Sequence, residues 1–137
     1  TTAEVLKTAL HQQQAGHLDA AEQSYRQILA REPDFVDALN LLGALLYQQH
    51  RYDEAIAQFR RVLTLQPESP DAYNSVGIVL KAQGHLEEAI TCYNQTLSRQ
   101  PDHAEAHNNL GNALKDLGRL EEAISAYRQA LKIRPAY

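Results

Sequence analysis

The chain has 137 residues and little of what a disulfide-stabilised or membrane-spanning protein needs. It contains a single cysteine, Cys92, so no internal disulfide can form and the fold requires no oxidising compartment. The most apolar stretch, residues 38–47, is interrupted by Asn40 and is too short to cross a bilayer. No signal-peptide pattern opens the sequence. We therefore expect a cytoplasmic protein that does not insert into membranes.

Clusters of positive charge are also missing. Lys and Arg together number 13 against 17 Asp and Glu, which gives a formal net charge of -4. No run of Lys and Arg supplies the basic surface by which proteins usually bind nucleic acid. This composition argues against nucleic acid as a partner.

No residue pattern indicates catalysis or a bound cofactor. The glycines fall at repeat spacing, and none forms a phosphate-binding loop. His103 and His107 are four residues apart, but no third ligand is near them in sequence, and packing is the better interpretation of His107. Cys92 has no predicted base beside it. We expect a protein that is not an enzyme and that needs no cofactor or metal.

What the sequence does contain is an internal repeat of 34 residues. Five classes of residue recur at this interval in one register. They are the prolines Pro33, Pro67, Pro101 and Pro135, the glycines Gly43, Gly77 and Gly111, the alanines Ala21, Ala55, Ala89 and Ala123, the aromatics Tyr25, Phe59, Tyr93 and Tyr127, and the leucines Leu29, Leu63, Leu97 and Leu131. Chance does not place five independent classes in one register.

Each repeat is predicted to form two helices. Apolar residues recur at helical spacing in the first half, as in Leu39, Leu42 and Leu46. A glycine, or His50 in the second repeat, then suits a left-handed cap, acidic residues open the second helix, and proline closes the repeat. The predicted fold is all-α, with eight helices at about 3–15, 19–31, 36–49, 53–65, 70–83, 87–99, 104–117 and 121–133.

The glycines inside the first helices need a compensating reason, because each costs about 1 kcal/mol relative to alanine. We expect them to let the two helices of a repeat approach closely. The predicted contacts set these glycines opposite Ala55, Ala89 and Ala123, and place Phe59, Tyr93 and Tyr127 against the next repeat.

The combined pattern resembles the tetratricopeptide repeat family across the whole chain. It reads aromatic/Leu-x2-Leu/Val-Gly-x2-Leu, then Gly-x4-Ala-x3-Tyr/Phe, then Pro. The resemblance implies a right-handed superhelical solenoid of four repeats, at about 2–35, 36–69, 70–103 and 104–137, which form one array over 1–137. It also implies a concave groove lined by the first helix of each repeat, where family members hold peptides or segments of partner proteins.

The groove positions that the resemblance implies carry several asparagines. A carboxamide both donates and accepts hydrogen bonds, so it suits the backbone of an extended peptide. The alternative is that asparagine is only a tolerated polar residue on a solvated face. The candidate partner-binding residues are Asn40, Asn74, Asn108, Asn109, Asn112, Asp37, Asp71, Tyr47, Lys81 and Lys115.

Two further hypotheses concern the ends of the array. The first repeat carries Thr8 and Gln12 where later repeats carry large apolar residues, which indicates an N-terminal cap or a true end of the array. Because Tyr127 and Leu131 would leave an apolar face in water, we expect the array to continue beyond Tyr137 in a longer protein, or to associate with another copy.

The asparagine-rich first helices are also similar to those of O-linked N-acetylglucosamine transferases. In those enzymes an array of such repeats precedes the catalytic domain. The chain could therefore be the substrate-recognition arm of a larger enzyme such as a glycosyltransferase. Three hypotheses remain: a scaffold that binds a protein segment, a self-assembling scaffold, and an enzyme arm.

Overall fold

The computed structural model describes residues 1–136, and Tyr137, which the predicted fourth repeat includes, lies outside the described residues. Within that range the chain forms eight α-helices and no strand, so the all-α prediction is confirmed. The helices are α1 (Thr2–Gln14), α2 (Leu18–Arg31), α3 (Val36–Gln48), α4 (Tyr52–Leu65), α5 (Pro70–Ala82), α6 (Leu86–Arg99), α7 (Ala104–Asp116) and α8 (Leu120–Ile133). Every predicted helix end lies within one residue of its observed position.

The helices belong to two compact units. Unit 1, Thr1–Leu65, holds α1 to α4, and unit 2, Gln66–Tyr137, holds α5 to α8. In unit 1, α1 packs on α2, α3 packs on α4, and α2 packs on α3. In unit 2, α5 packs on α6, α7 packs on α8, α6 packs on α7, and α5 also contacts α7. Each unit is therefore a stack of two helical hairpins, while the single array over 1–137 stays a prediction.

A tight turn joins the two helices of each repeat. Gly16, Gly84 and Gly118 have φ angles of 82°, 84° and 79°, and His50 has a φ of 61°. Glycine adopts this left-handed conformation freely, whereas His50 does so against the steric preference of its Cβ. The left-handed caps predicted at these four positions are confirmed.

Side-chain caps fix the start of three first helices. The Thr1 hydroxyl accepts a hydrogen bond from an amide of the first turn of α1. Ser69 does the same for the amide of Ala72 at 3.3 Å, and Nδ1 of His103 accepts from the amide of Ala106 at 3.1 Å. Each cap satisfies a backbone donor that the helix itself leaves open. His103 thus precedes its helix, as the sequence predicted.

The glycine inside each first helix makes room for an aromatic ring of the same repeat. A Cβ added to Gly43 would lie 2.7 Å from Cζ of Phe59, and one added to Gly77 would lie 2.6 Å from Cε1 of Tyr93. Tyr127 covers Gly111 in the same way. The predicted contact with the alanines was therefore wrong, because the groups nearest the glycines are the aromatic rings, while the predicted packing of these rings against the next repeat stays a prediction.

The direction of helical side chains explains this contact. Gly43 lies 7 residues before His50, and Phe59 lies 9 residues after it. Long side chains in a helix lean toward its N-terminus, which for α4 is the end at the turn. The ring of Phe59 is thereby brought back to the level of Gly43 on the facing helix.

The first repeat builds the same hairpin with different residues. Ala9 takes the register of the glycines, and both it and Tyr25 are fully buried. The hydroxyl of Ser24 donates to Oε1 of Gln12 at 2.8 Å, and that of Tyr25 donates to Oε1 of Gln13 at 2.6 Å. Gln12, which distinguishes this repeat, is therefore satisfied inside the hairpin, whereas Thr8 is exposed.

Candidate functional site

The predicted partner-binding residues all lie on first helices. They occupy one recurring set of positions, which we call the first-helix face. In unit 1 these positions are Ala3, Leu6, Lys7, Leu10 and Gln13 on α1, and Asp37, Asn40, Leu41, Ala44 and Tyr47 on α3. In unit 2 they are Asp71, Asn74, Ser75, Ile78 and Lys81 on α5, and Glu105, Asn108, Asn109, Asn112 and Lys115 on α7.

Asn74 joins the two first helices of unit 2. Its side-chain amide donates to Oε1 of Glu105 at 3.3 Å, and its carbonyl oxygen accepts from Nδ2 of Asn109 at 3.1 Å. Asn74 is only 5% exposed. The side chain of Asn74 was expected to donate to and accept from a peptide backbone, but both of its polar groups bind other side chains of the protein.

Two more contacts cross between α5 and α7. Nε2 of His103 lies 2.8 Å from Oδ1 of Asp71. Because Nδ1 of His103 accepts the capping amide, the ring proton is on Nε2 and is donated to the carboxylate. Lys81 lies 3.5 Å from Asp116. With the Asn74 contacts, these pairs satisfy most polar groups of this face within unit 2.

The other predicted residues differ in whether the fold uses their polar groups. Asn112 accepts a hydrogen bond from the Tyr127 hydroxyl. By contrast, the side chains of Asn40, Asn108 and Lys115 make no hydrogen bond or ion pair within residues 1–136. The exposed carboxylate of Asp37 makes none either within these residues, so the polar groups of these four candidates are available to a partner.

The first-helix face of unit 1 is apolar where that of unit 2 is polar. Leu6 and Leu41 occupy the registers that Asn74 and Asn109 hold two repeats later, and both are half-buried. Leu10 is 37% exposed and Tyr47 is 36% exposed. The sequence analysis named only Tyr47 among these as a candidate. The leucines were left out because the sequence analysis favoured polar groups that could bind a peptide backbone.

A group of ion pairs lies away from this face, where the two repeats of unit 1 meet. Arg51 contacts Oε1 of Glu22 at 2.6 Å and Oε2 of Glu54 at 2.7 Å. The hydrogen bond from Arg51 is the main cause that lowers the pKa of Glu22, which burial opposes. It also lowers the pKa of Glu54. These shifts indicate a structural ion-pair network.

The remaining chemistry-bearing residues have structural surroundings. Nε2 of His107 lies 2.8 Å from the carbonyl oxygen of Pro101. One repeat earlier, the hydroxyl of Tyr73 makes the equivalent contact with the carbonyl oxygen of Pro67 at 3.2 Å. Cys92 is half-buried on α6. In residues 1–136 no three His, Cys, Asp or Glu side chains are grouped so that they could hold a metal. Over the same range, no helix has the length and apolarity that crossing a membrane requires.

Comparison with known proteins identifies the family. No curated protein matches the chain. A crystal structure of MamA superposes with a TM-score of 0.88 at 24% identity, over 99% of this chain and 80% of that one. A MamA structure from Desulfovibrio magneticus RS-1, covering residues 41 to the end of that protein, gives a TM-score of 0.88 at 17% identity, over 99% and 77%. The similarity to glycosyltransferase arms stays a prediction. A tetratricopeptide repeat model matches residues 6–70 and 77–137, and the chain belongs to that family.

Proposed function

We propose that the chain is a cytoplasmic protein-interaction scaffold that binds a peptide or protein segment on the first-helix faces of its repeats. The observation that carries this proposal is the presence there of polar side chains without an internal partner. Asn40 and Asn108 lie on these faces with their carboxamides uncommitted within residues 1–136. Carboxamides of this kind can hydrogen-bond an extended backbone without demanding a sequence.

The test uses selected peptides and matched asparagine variants. Random peptides of about 12 residues are displayed and selected on the wild-type chain, and their affinities are measured by fluorescence anisotropy. We expect the double substitution Asn40→Ala, Asn108→Ala to weaken the best binders of either unit about fivefold, since it removes one hydrogen bond to the partner from each unit. Asn94→Ala is the control, because Asn94 is an exposed asparagine on the second helix α6.

Asn74 is left unchanged in this test. Its removal would break contacts between α5 and α7, so weaker binding would not separate a lost partner contact from a disturbed fold. The proposal fails if the selected peptides bind the double variant and the wild type equally and no other substitution on the first-helix face changes their affinity.

A second candidate function is self-association through α8. Leu120 is 57% exposed and Ile124 is 49% exposed on this helix, and Leu131 follows on the same stripe. On α6 the equivalent of Ile124 is Ile90, which is only 7% exposed in a helix that packs against α7. Helical stripes of this kind are usually covered by another element.

Light scattering on a size-exclusion column distinguishes this candidate. Self-association predicts a mass that rises above 15.4 kDa as protein concentration increases. It also predicts that Leu120→Glu with Ile124→Glu restores the monomer mass. A mass that stays at the monomer value over the whole concentration range would exclude this function.

A further inference from the structure

We infer that the partner of the first-helix face is a segment with bulky aliphatic side chains next to a basic residue, and that it docks on unit 1. The inference rests on the proposed function, since it names the partner chemistry of the same face. The structural basis is the difference between the two units at equivalent registers.

In unit 2 most polar groups of the first-helix face, though not those of Asn108 and Lys115, are satisfied by contacts between its own helices. Asn74 binds both Glu105 and Asn109, and Lys81 pairs with Asp116. A partner that docked here through polar groups would compete with bonds that the fold already makes. Such an exchange of hydrogen bonds yields little net affinity.

In unit 1 the same registers carry groups that cannot satisfy one another. Leu6 and Leu41 replace the carboxamide pair and are half-buried. Leu10 and Tyr47 each keep more than a third of their surface exposed. From Ala38 to Gln48, α3 contains no charged residue. Because exposed apolar surface gains free energy only by contact with other apolar surface, aliphatic side chains are the complementary chemistry.

Asp37 places a negative charge, unpaired in the described part of the chain, on the first-helix face of unit 1. It has the register of Glu105, whose carboxylate receives the amide of Asn74 in unit 2. The residue two repeats before Asn74, on the neighbouring first helix of unit 1, is Leu6, which has no donor. Asp37 is exposed and makes no hydrogen bond or ion pair within residues 1–136, not even with Lys7 on the same face. A basic residue of the partner would form an ion pair with this carboxylate.

The experiment measures the composition of peptides selected on the wild-type chain and their affinity for variants. We expect the peptides to be enriched in Leu, Ile, Val or Phe together with Lys or Arg. Leu6→Asn with Leu41→Asn should weaken them about tenfold, because it replaces the apolar contact with a polar pair. The same pair of residue types exists in unit 2 as Asn74 and Asn109, so the fold accommodates it.

The controls separate this inference from the proposed function. Ile133→Ser removes a comparably exposed aliphatic side chain from the second helix α8 and should leave affinity unchanged. Asp37→Lys should weaken peptides that carry Lys, and a peptide with Glu in place of that Lys should recover binding. Asp19→Lys, which changes an exposed aspartate of the second helix α2, should leave the affinity of both peptides unchanged. Circular dichroism confirms that each variant is folded.

Three outcomes overturn the inference. One is selected peptides that lose affinity on Asn40→Ala, Asn108→Ala but not on the leucine pair, which would leave the proposed function standing. Another is selected peptides without apolar enrichment. The third is an equal loss of affinity on Asp37→Lys for peptides that carry Lys and for peptides that carry Glu, which would show that Asp37 does not pair with a basic residue of the partner.

Discussion

Replacing Gly77 with alanine should destabilise unit 2, although alanine is the better helix former. The added Cβ would lie 2.6 Å from Cε1 of Tyr93 and 3.2 Å from Cβ of Cys92. Carbon atoms in favourable contact are about 3.5–4.0 Å apart, so the ring would have to move by about 1 Å. Tyr93 is fully buried, and such a shift requires neighbouring side chains to repack.

The sign of the effect follows from two opposing magnitudes. Overpacking a close-packed site costs roughly 1–3 kcal/mol. Alanine recovers about 1 kcal/mol of helix propensity relative to glycine. We expect Gly77→Ala to lower the free energy of unfolding by about 1 kcal/mol, with the midpoint of urea unfolding shifted down and faster hydrogen exchange in α5 and α6.

Repeat 1 provides the reciprocal experiment. Ala9 has the register of Gly77, and its methyl group is fully buried in the hairpin that Tyr25 completes. Ala9→Gly should cost about 2 kcal/mol, roughly half from helix propensity and half from the lost methyl group. Helix propensity alone predicts opposite signs for the two substitutions, whereas the ring contact predicts that both destabilise.

A rise in stability on Gly77→Ala would refute this reasoning. A double-mutant cycle with Tyr93→Leu isolates the ring contact. Once the ring is absent, Gly77→Ala should become stabilising, and the coupling free energy should be about 2 kcal/mol. Coupling near zero would mean that the glycine is needed for another reason.

Three other perturbations test the remaining contacts. His50→Gly should raise stability by less than about 1 kcal/mol, measured by urea unfolding, because the steric cost relieved at a φ of 61° is partly offset by the lost hydrogen bond between His50 and Tyr52. Asn74→Ala should cost about 1–2 kcal/mol through the lost contacts between α5 and α7, whereas Asn108→Ala should be nearly neutral. Arg51 lowers the pKa of Glu22, so their contact stabilises the folded protein fully above the unfolded pKa of the carboxyl, about 4.3. This stabilisation is lost as pH falls through the lower folded pKa. The difference in stability between wild type and Arg51→Gln, measured by thermal melts, should therefore shrink toward acid pH.

The helices could be predicted from sequence because their signals are local. The spacing of Leu39, Leu42 and Leu46 indicates one buried face, and Gly84 or Gly118 ends a helix where only a left-handed cap fits. These signals lie within a few residues of the structure they determine. Helix bounds were accordingly predicted to within one residue.

The contacts of individual side chains could not be predicted in the same way. The partners of Asn74 lie 31 and 35 residues away on another helix, and nothing in the local pattern distinguishes Asn74 from Asn108. The packing of Gly43 was predicted incorrectly because the argument matched small residues by size. The lean of the Phe59 side chain along its own helix decides which residue covers the glycine.

Register alone therefore does not identify a binding residue in this repeat. The same position holds Asn74, whose donor and acceptor are both used inside the protein, and Leu6, whose exposed surface no donor or acceptor can satisfy. For a carboxamide, internal partners and an external partner compete for the same hydrogen-bonding groups. For a leucine beside solvent, contact with further apolar surface is the remaining source of stabilisation. Contacts that the fold leaves open, compared between equivalent registers, are thus a better guide to the partner-binding surface than residue type or repeat position.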